Sequence, residues 1–338
     1  MESRIKNQVL QLLADGERSV YELIDKQDAS LPEFFNLMQE MQNEGSLSMK
    51  NGRVSISQKV VDERLKDIEE QGCSCCLSTG YQIDGFLQEV QKKFEEIAAH
   101  RPKAIEEYDQ GFISPVDIMK RIAFIYERGD LLDSRIFVAG DDDLFSIAVA
   151  LTGIPQKVWV GEIDERLVSF INDAAKEHSL PVEANNLDIQ HPLPPEVRGK
   201  FDIFVTDPVE TVPGLTLFLS RGVSALRGEG CSGYFGLTTL EASRKKWFEI
   251  EKRLHDMGFV ITDLRRKFSD YPQMDNNFFR YQEKLPIIEK MGSNVDYDWY
   301  KSTFCRVEAV EEPKPMVEGE MILDDEVYRD DESWATPY

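Results

Sequence analysis

The residues of this chain best placed to do chemistry are carboxylates that follow apolar runs. The run Ile136-Phe137-Val138-Ala139 leads into Gly140 and then Asp141-Asp142-Asp143. A glycine turn between a strand and a helix is the layout of the nucleotide-binding first strand of a Rossmann-like sheet. A pyrophosphate loop would place further glycines here. Three consecutive carboxylates would repel phosphate and suit a ligand whose nearest part is a cation.

Three more acidic groups follow the same rhythm. Glu162, in Gly161-Glu162-Ile163-Asp164, comes about 20 positions after the turn, where an acidic side chain accepts from both ribose hydroxyls. Asp164 either shares that task or caps the next helix. Asp188, in Asn186-Leu187-Asp188, either accepts from an adenine amino group or closes an Asx-turn. Asp207 and Glu210, in Thr206-Asp207-Pro208-Val209-Glu210-Thr211, either hold an amine and take its proton or cap a helix. The four histidines, His100, His178, His191 and His255, form no motif, and no G-x-S-x-G elbow occurs.

The elements that must position these groups alternate from about Ser134 onward. Strands are expected at Ile136–Ala139, Val158–Ile163, Phe201–Val205, Gly233–Leu237 and Phe259–Thr262, with a shorter one near Val182–Leu187. Helices are expected to start near Asp143, Asp164, Leu215 and Glu241. Such alternation predicts a mostly parallel α/β sheet with helices on both faces and a ligand at the carboxyl ends of the strands. The expected domain runs over residues 105–310 and includes a helix from Pro115 to about Glu127.

Residues 1–57 read as a small winged-helix-like unit. Ile5, Val9, Leu12 and Leu13 recur at helical spacing. Ser30-x-x-Glu33 is a capping box ahead of Phe34, Leu37, Met38 and Met41, and Asn51-Gly52 is a hairpin turn. The helix that would read DNA carries Glu33, Glu40 and Glu44 and no Arg or Lys, so docking or dimerisation is the expected role. Residues 58–104 read as a connector, with Cys73, Cys75 and Cys76 followed by a helix bearing Phe86, Val90, Phe94 and Ile97. The C-x-C-C spacing is not a standard zinc knuckle. From about Glu308 the chain is acidic, and residues 311–338 read as a flexible tail or as a flap over a polyamine.

The 338 residues hold 39 Lys and Arg against 62 Asp and Glu, a net charge of −23. This disfavours nucleic acid and anionic membranes as partners and favours a small polycation. No apolar stretch is long enough to span a membrane, and no signal peptide is evident. Five cysteines, an odd number, fit a reducing cytoplasm.

The segments Tyr108-Asp109-Gln110-Gly111, Tyr126-Glu127-Arg128-Gly129-Asp130, Gly140-Asp141-Asp142-Asp143-Leu144, Glu162-Ile163-Asp164-Glu165-Arg166, Asp207-Pro208-Val209-Glu210-Thr211 and Gly228-Glu229-Gly230-Cys231 together resemble the branched-chain polyamine synthases. These aminopropyltransferases are also called N4-bis(aminopropyl)spermidine synthases. The resemblance covers most of residues 105–270. It implies a methyltransferase-type Rossmann-like fold. It also implies transfer of aminopropyl groups from decarboxylated S-adenosylmethionine to the N4 amine of spermidine, once or twice, with release of methylthioadenosine. On this resemblance Asp142 faces the reactive nitrogen and Asp207 joins it as catalytic. Asp141 and Asp143 bind donor or acceptor amines, and Asp109, Gln110 and Gly140 complete the binding set. The implied partners are a polyamine and a nucleoside donor used as co-substrate, with no cofactor and no metal, in a homodimer. Val209 departs from the family's Asp-Pro-Pro-Glu, and the cysteine cluster departs from its C-x-x-C pairs.

The chemistry fits these residue types. Decarboxylated S-adenosylmethionine presents an ammonium three carbons from a sulfonium, with no carboxylate to repel an acidic turn. The acceptor nitrogen must lose a proton, which a carboxylate beside it can take. Two other readings remain open on the residues alone: an S-adenosylmethionine-dependent methyltransferase, and a polyamine-sensing winged-helix regulator.

Overall fold

The computed structural model describes residues 2–14, 16–57, 79–105, 108–272, 285–292, 295–322 and 324–333. The cysteine cluster Cys73, Cys75 and Cys76 and the aromatics Trp334 and Tyr338 lie outside them. Among the described residues, no helix is long and apolar enough to cross a membrane.

The N-terminal unit runs α1 (Glu2–Leu12), β1 (Arg18–Ser19), α2 (Val20–Lys26), α3 (Leu31–Asn43), β2 (Leu47–Lys50) and β3 (Arg53–Ile56). Its three strands form an antiparallel sheet in the order β1-β3-β2. The turn between β2 and β3 uses Asn51 and Gly52 at φ 51° and 73°, the left-handed values a tight hairpin needs. The backbone amide of Ser30 donates to Glu33 at 3.0 Å, as the expected capping box requires. Phe34, Leu37, Met38 and Met41 are buried and the acidic face of α3 is exposed.

The main unit contains α4 (Gly85–Ala98), α5 (Pro115–Glu127), β4 (Arg135–Ala139), α6 (Phe145–Leu151), β5 (Lys157–Glu162), α7 (Glu165–Glu177) and β6 (Val182–Asn186). It continues with β7 (Ile203–Thr206), α8 (Val212–Ala225), β8 (Ser232–Leu237), α9 (Arg244–Asp256), β9 (Phe259–Asp270), α10 (Pro286–Met291), β10 (Lys301–Ala309) and α11 (Asp325–Tyr328). Seven strands form one sheet in the order β6-β5-β4-β7-β8-β10-β9. The first five are parallel, and β10 pairs antiparallel with both β8 and β9. The strand order reverses beside β4, so the switch point lies at the Gly140 turn. This is the α/β, Rossmann-like sheet that the alternation predicts.

Several expectations need correction. β9 runs eight residues past Thr262, to Asp270, and β10 was not anticipated at all. Its burial on both faces hides the two-residue alternation, and its internal Arg306 reads as a surface residue. That guanidinium is buried and bonds to Asp130, Tyr234 and Ser232. The region around α4 is not a mere connector, because Val90, Phe94 and Ile97 share one core with Ile136, Val138, Val158 and Val160 of the sheet. Phe86 leaves that face and is 60% exposed. The N-terminal unit shares its core with Leu240, Ile287, Met291, Trp299 and Tyr300.

The C-terminal segment also departs from a free tail through residue 333. Fully buried Arg221 of α8 donates to the carbonyls of Val317 and Gly319, and to those of Ile189 and Gln190. One guanidinium thus ties the C-terminal strand of chain to the loop after β6. Its many acids made this segment look solvated, but its backbone carbonyls do the binding.

Candidate active site

The parallel strands deliver their carboxyl ends to one edge of the sheet, and the acidic groups collect there. Gly140 takes φ 74°, a conformation glycine adopts without steric cost. Leu144 takes φ 58° immediately before α6, so the turn from Gly140 to Leu144 begins and ends on a left-handed residue. Within it, Asp141 and Asp143 are buried and Asp142 keeps partial exposure.

Each carboxylate has its own support. Asp141 accepts from the Ser146 amide at 3.3 Å and from the Ser146 hydroxyl. Asp142 accepts from the Gly111 amide at 2.9 Å and the Asp143 amide at 3.1 Å. Asp143 accepts from the Ile113 amide at 2.7 Å. Arg101 lies over the Phe112 ring and donates to the Asp142 carbonyl at 3.1 Å. The segment 111–113 therefore closes one side of the turn. Burial, reinforced by the Glu162 and Asp207 charges, pushes the Asp142 carboxyl up to about 8. Burial also raises Asp141 and Asp143 well above the ordinary carboxylate range. Crowded acids in a low-dielectric site favour the neutral form until a cation arrives.

Across the turn, Asp207 ends β7 and is gripped by Arg121 of α5 through Nη1 and Nη2. Arg121 Nη1 also lies 3.7 Å from Asp143. A Cβ built at Gly236 would stand 1.9 Å from Asp207 Oδ1, so β8 makes room for this carboxylate by having no side chain there. Glu210 accepts from the Thr238 amide at 2.7 Å through Oε1, and its Oε2 is buried with no hydrogen-bond partner among the described residues. Burial, then the Glu241 charge, raises Glu210 well above its ordinary value. Tyr271, just beyond β9, is raised by burial and by Asp207.

On the opposite side of the turn, Glu162 is buried at the end of β5. It accepts from the amides of Asp141 at 2.8 Å and Asp164 at 2.9 Å, and burial raises it. Carboxylate oxygens retain lone pairs after one bond each, so Glu162 keeps acceptor capacity.

Asp164 takes up the capping alternative that the sequence offered for it. It caps α7 through the Arg166 amide at 2.9 Å, pairs with the Arg166 guanidinium at 2.6 Å and accepts from Gln110 at 2.8 Å. Gln110 in turn accepts from the Ile105 amide at 3.0 Å. Both residues therefore fasten the loop before α5 to α7. Asp109, beside them, is exposed at φ 51°. Asp188 closes an Asx-turn, accepting from the Gln190 amide at 2.9 Å, and stays partly exposed.

The chain's last described residues cover the Asp207–Thr211 loop. Lys246 is buried and donates to the carbonyls of Glu210 at 3.1 Å and Glu241 at 2.8 Å and to the Ser333 hydroxyl at 2.7 Å. It pairs with Asp330 at 2.7 Å. Ser333 donates to the same two carbonyls, and Thr211 donates to the Val327 carbonyl.

Sequence reasoning missed Arg121, Arg101, Tyr271, Gly236 and Lys246. One signal was available: Lys120-Arg121 interrupts the apolar stripe Ile118, Met119, Ile122 and Ile125, and such a pair needs internal partners. Lys120 finds Asp117 at 2.7 Å, and Arg121 finds Asp207.

Comparison with known proteins shows what the chain as a whole is similar to. Residues 89–335 match the branched-chain polyamine synthase A C-terminal domain. The N(4)-bis(aminopropyl)spermidine synthase of Thermococcus kodakarensis is 35% identical over 342 residues, covering 99% of this chain and 95% of that one. That of Methanocaldococcus jannaschii is 36% identical over 323 residues, covering 94% and 90%. The crystal structure of a C9 mutein of the Thermus thermophilus branched-chain polyamine synthase, in complex with N4-aminopropylspermidine and 5'-methylthioadenosine, superposes with a TM-score of 0.85. It is 32% identical, with 98% of this chain and 93% of that chain covered. The sheet order, the acidic turn at its switch point and these full-length matches together place the chain in the branched-chain polyamine synthase family.

Proposed function

We propose that this chain transfers aminopropyl groups from decarboxylated S-adenosylmethionine to the secondary N4 amine of spermidine, releasing methylthioadenosine. The observation that carries the reading is the asymmetry of the acidic turn. Asp141 and Asp143 are buried, while Asp142 between them keeps partial exposure to the cleft. The ligands of the solved Thermus relative, a branched polyamine and methylthioadenosine, are the two classes this cleft suits.

The residues divide the work. Glu162 holds the ribose hydroxyls and Asp188 lies on the adenine side. Asp141 and Asp143 set the negative potential that draws the donor ammonium and the acceptor. Asp142 fixes the attacking nitrogen and accepts its proton. The nitrogen lone pair then forms a bond to the carbon beside sulfur as the carbon–sulfur bond breaks. The sulfonium leaves as a neutral thioether, so no covalent enzyme intermediate is required. A second addition would start from a tertiary amine and end in a quaternary product with no proton on nitrogen. Deprotonation must therefore precede that attack, which is work for a base poised near neutrality.

The test is mass spectrometry of products after incubating the purified chain with decarboxylated S-adenosylmethionine and a panel of linear polyamines. Branched products with matching methylthioadenosine are expected. Methylated polyamine with S-adenosylhomocysteine, formed from S-adenosylmethionine in a parallel incubation, would instead support methyl transfer. No product from either donor would overturn the reading.

A further inference from the structure

We propose that Arg121 is the positioning residue for the acceptor: it holds the Asp207 carboxylate in one place, open to the cleft, where it binds an acceptor ammonium beside Asp142. This rests on the aminopropyltransferase reading above.

The geometry of Arg121 is that of a built clamp. Its guanidinium is fully buried on α5 and stacks over Phe304, 4.6 Å from the ring centre. Nε donates to the Ser269 hydroxyl at 2.9 Å and Nη2 to the Ser302 hydroxyl at 3.4 Å. The two terminal nitrogens grip Asp207. Strands β9 and β10 thus hold the back of the guanidinium, and the front meets the carboxylate. The Asp207 side chain keeps 26% exposure, so it is held from within and open to the cleft. Its place is further fixed by Gly236, where any Cβ would collide with it.

Charge decides the division of labour. Asp207 is faced by Asp142 and Asp143 from the turn after β4, by Glu210 from its own loop, by Tyr271 beyond β9 and by Cys305 of β10. None of these supplies a positive charge, whereas Arg121 does. A carboxylate bridged to a buried guanidinium is fixed in place and still presents its outward lone pairs as hydrogen-bond acceptors. Asp142 accepts from the Gly111 and Asp143 amides, and burial keeps its carboxyl raised. Burial opposes the charge of Arg121, yet Asp207 and Asp143 hold it protonated.

The experiment compares wild type, Arg121→Met, Arg121→Lys, Asp207→Asn and the Arg121→Met/Asp207→Asn double variant. Transfer by the wild type must be established first; its absence would defeat the parent reading and not this one. Arg121→Met is expected to raise the acceptor KM by about tenfold or more. It should leave kcat at saturating acceptor within about threefold, because the group that takes the proton is untouched. Methylthioadenosine affinity should stay within about twofold, and Arg121→Lys should recover part of the acceptor KM. In the Asp207→Asn background, Arg121→Met should cost no more than about threefold further, because both act through one contact. An unchanged acceptor KM, or equal losses for acceptor and methylthioadenosine, would overturn the proposal. Should Arg121→Met fail to fold, Ser269→Ala frees the fork while keeping its charge. A raised acceptor KM with unchanged methylthioadenosine binding then supports the clamp, and an unchanged acceptor KM overturns it.

Discussion

The backbone amide of Asp141 donates to the Glu162 carboxylate at 2.8 Å. The acidic turn after the first parallel strand and the acidic end of the second are therefore one structure. A donor molecule that bridges them would set its ribose on Glu162 and its sulfonium arm toward Asp142. The nucleoside and amine halves of the site share a hydrogen bond, so a change in one is expected to be felt in the other.

Asp142→Asn is expected to lower turnover by about 10²–10⁴-fold, the usual range for removing a general base. It should leave methylthioadenosine affinity nearly unchanged. Steady-state kinetics with isothermal calorimetry checks both. Near-normal turnover would remove Asp142 from the chemistry.

Glu162→Gln loses a charged acceptor for the ribose and sets an amide NH2 against one of the two backbone amides it now binds. Methylthioadenosine binding should weaken by roughly 1.5–3 kcal/mol, the range for hydrogen bonds to charged groups. Calorimetry is the measure. Unchanged affinity would place the ribose elsewhere, and not on Asp164, whose oxygens are already taken by Arg166 and Gln110.

The raised Asp142 carboxyl gives a pH signature with a defined sign. From its ordinary 3.8 to about 8, the folded chain binds a proton that the unfolded chain has lost. Stability of the free protein should therefore fall as pH rises through that window. A polycation lowers the carboxyl again, so polyamine binding at neutral pH should release protons to the buffer. Calorimetry in buffers of different ionisation enthalpy reads this directly, and Asp142→Asn should release fewer. Proton uptake by the wild type would contradict the assignment.

Salt should separate the two ligands. Polyamine affinity should fall as ionic strength rises, because charges separated by about a Debye length (~10 Å at 0.1 M) are screened. Methylthioadenosine is uncharged and should bind equally well throughout. Parallel curves for the two would mean that the carboxylates do not meet the acceptor.

Lys246→Met should free the C-terminal clasp. It removes bonds to Glu210, Glu241 and Ser333 and leaves Asp330 without its cation. Lys246 is buried while Asp330 is partly exposed, so the loss falls mainly on the buried carbonyls of Glu210 and Glu241, each of which gives up one hydrogen bond. Faster proteolysis near residue 330 and a lower Tm are expected, and an unchanged cleavage rate would show the clasp to be held by other contacts.

The sequence alone determined the parallel sheet, the switch-point turn and the acidic character of the site. These follow from local rules: apolar runs of strand length, a glycine able to take φ 74° at the turn, and carboxylates placed at strand ends. The Pro115–Glu127 helix was legible because Ser114 and Pro115 mark its start. What only the tertiary structure decided is which acid has which partner. Asp164 and Asp207 look alike in sequence, each ending a strand. One is consumed by Arg166 and Gln110 beside a helix cap, and the other is held open by Arg121, 86 residues away. Strand β10 and the C-terminal clasp were likewise hidden, because their evidence is pairing across long sequence separations. Local periodicity reports which face of an element is apolar, whereas the partner of a buried charge is set by how the sheet brings distant strands and helices together.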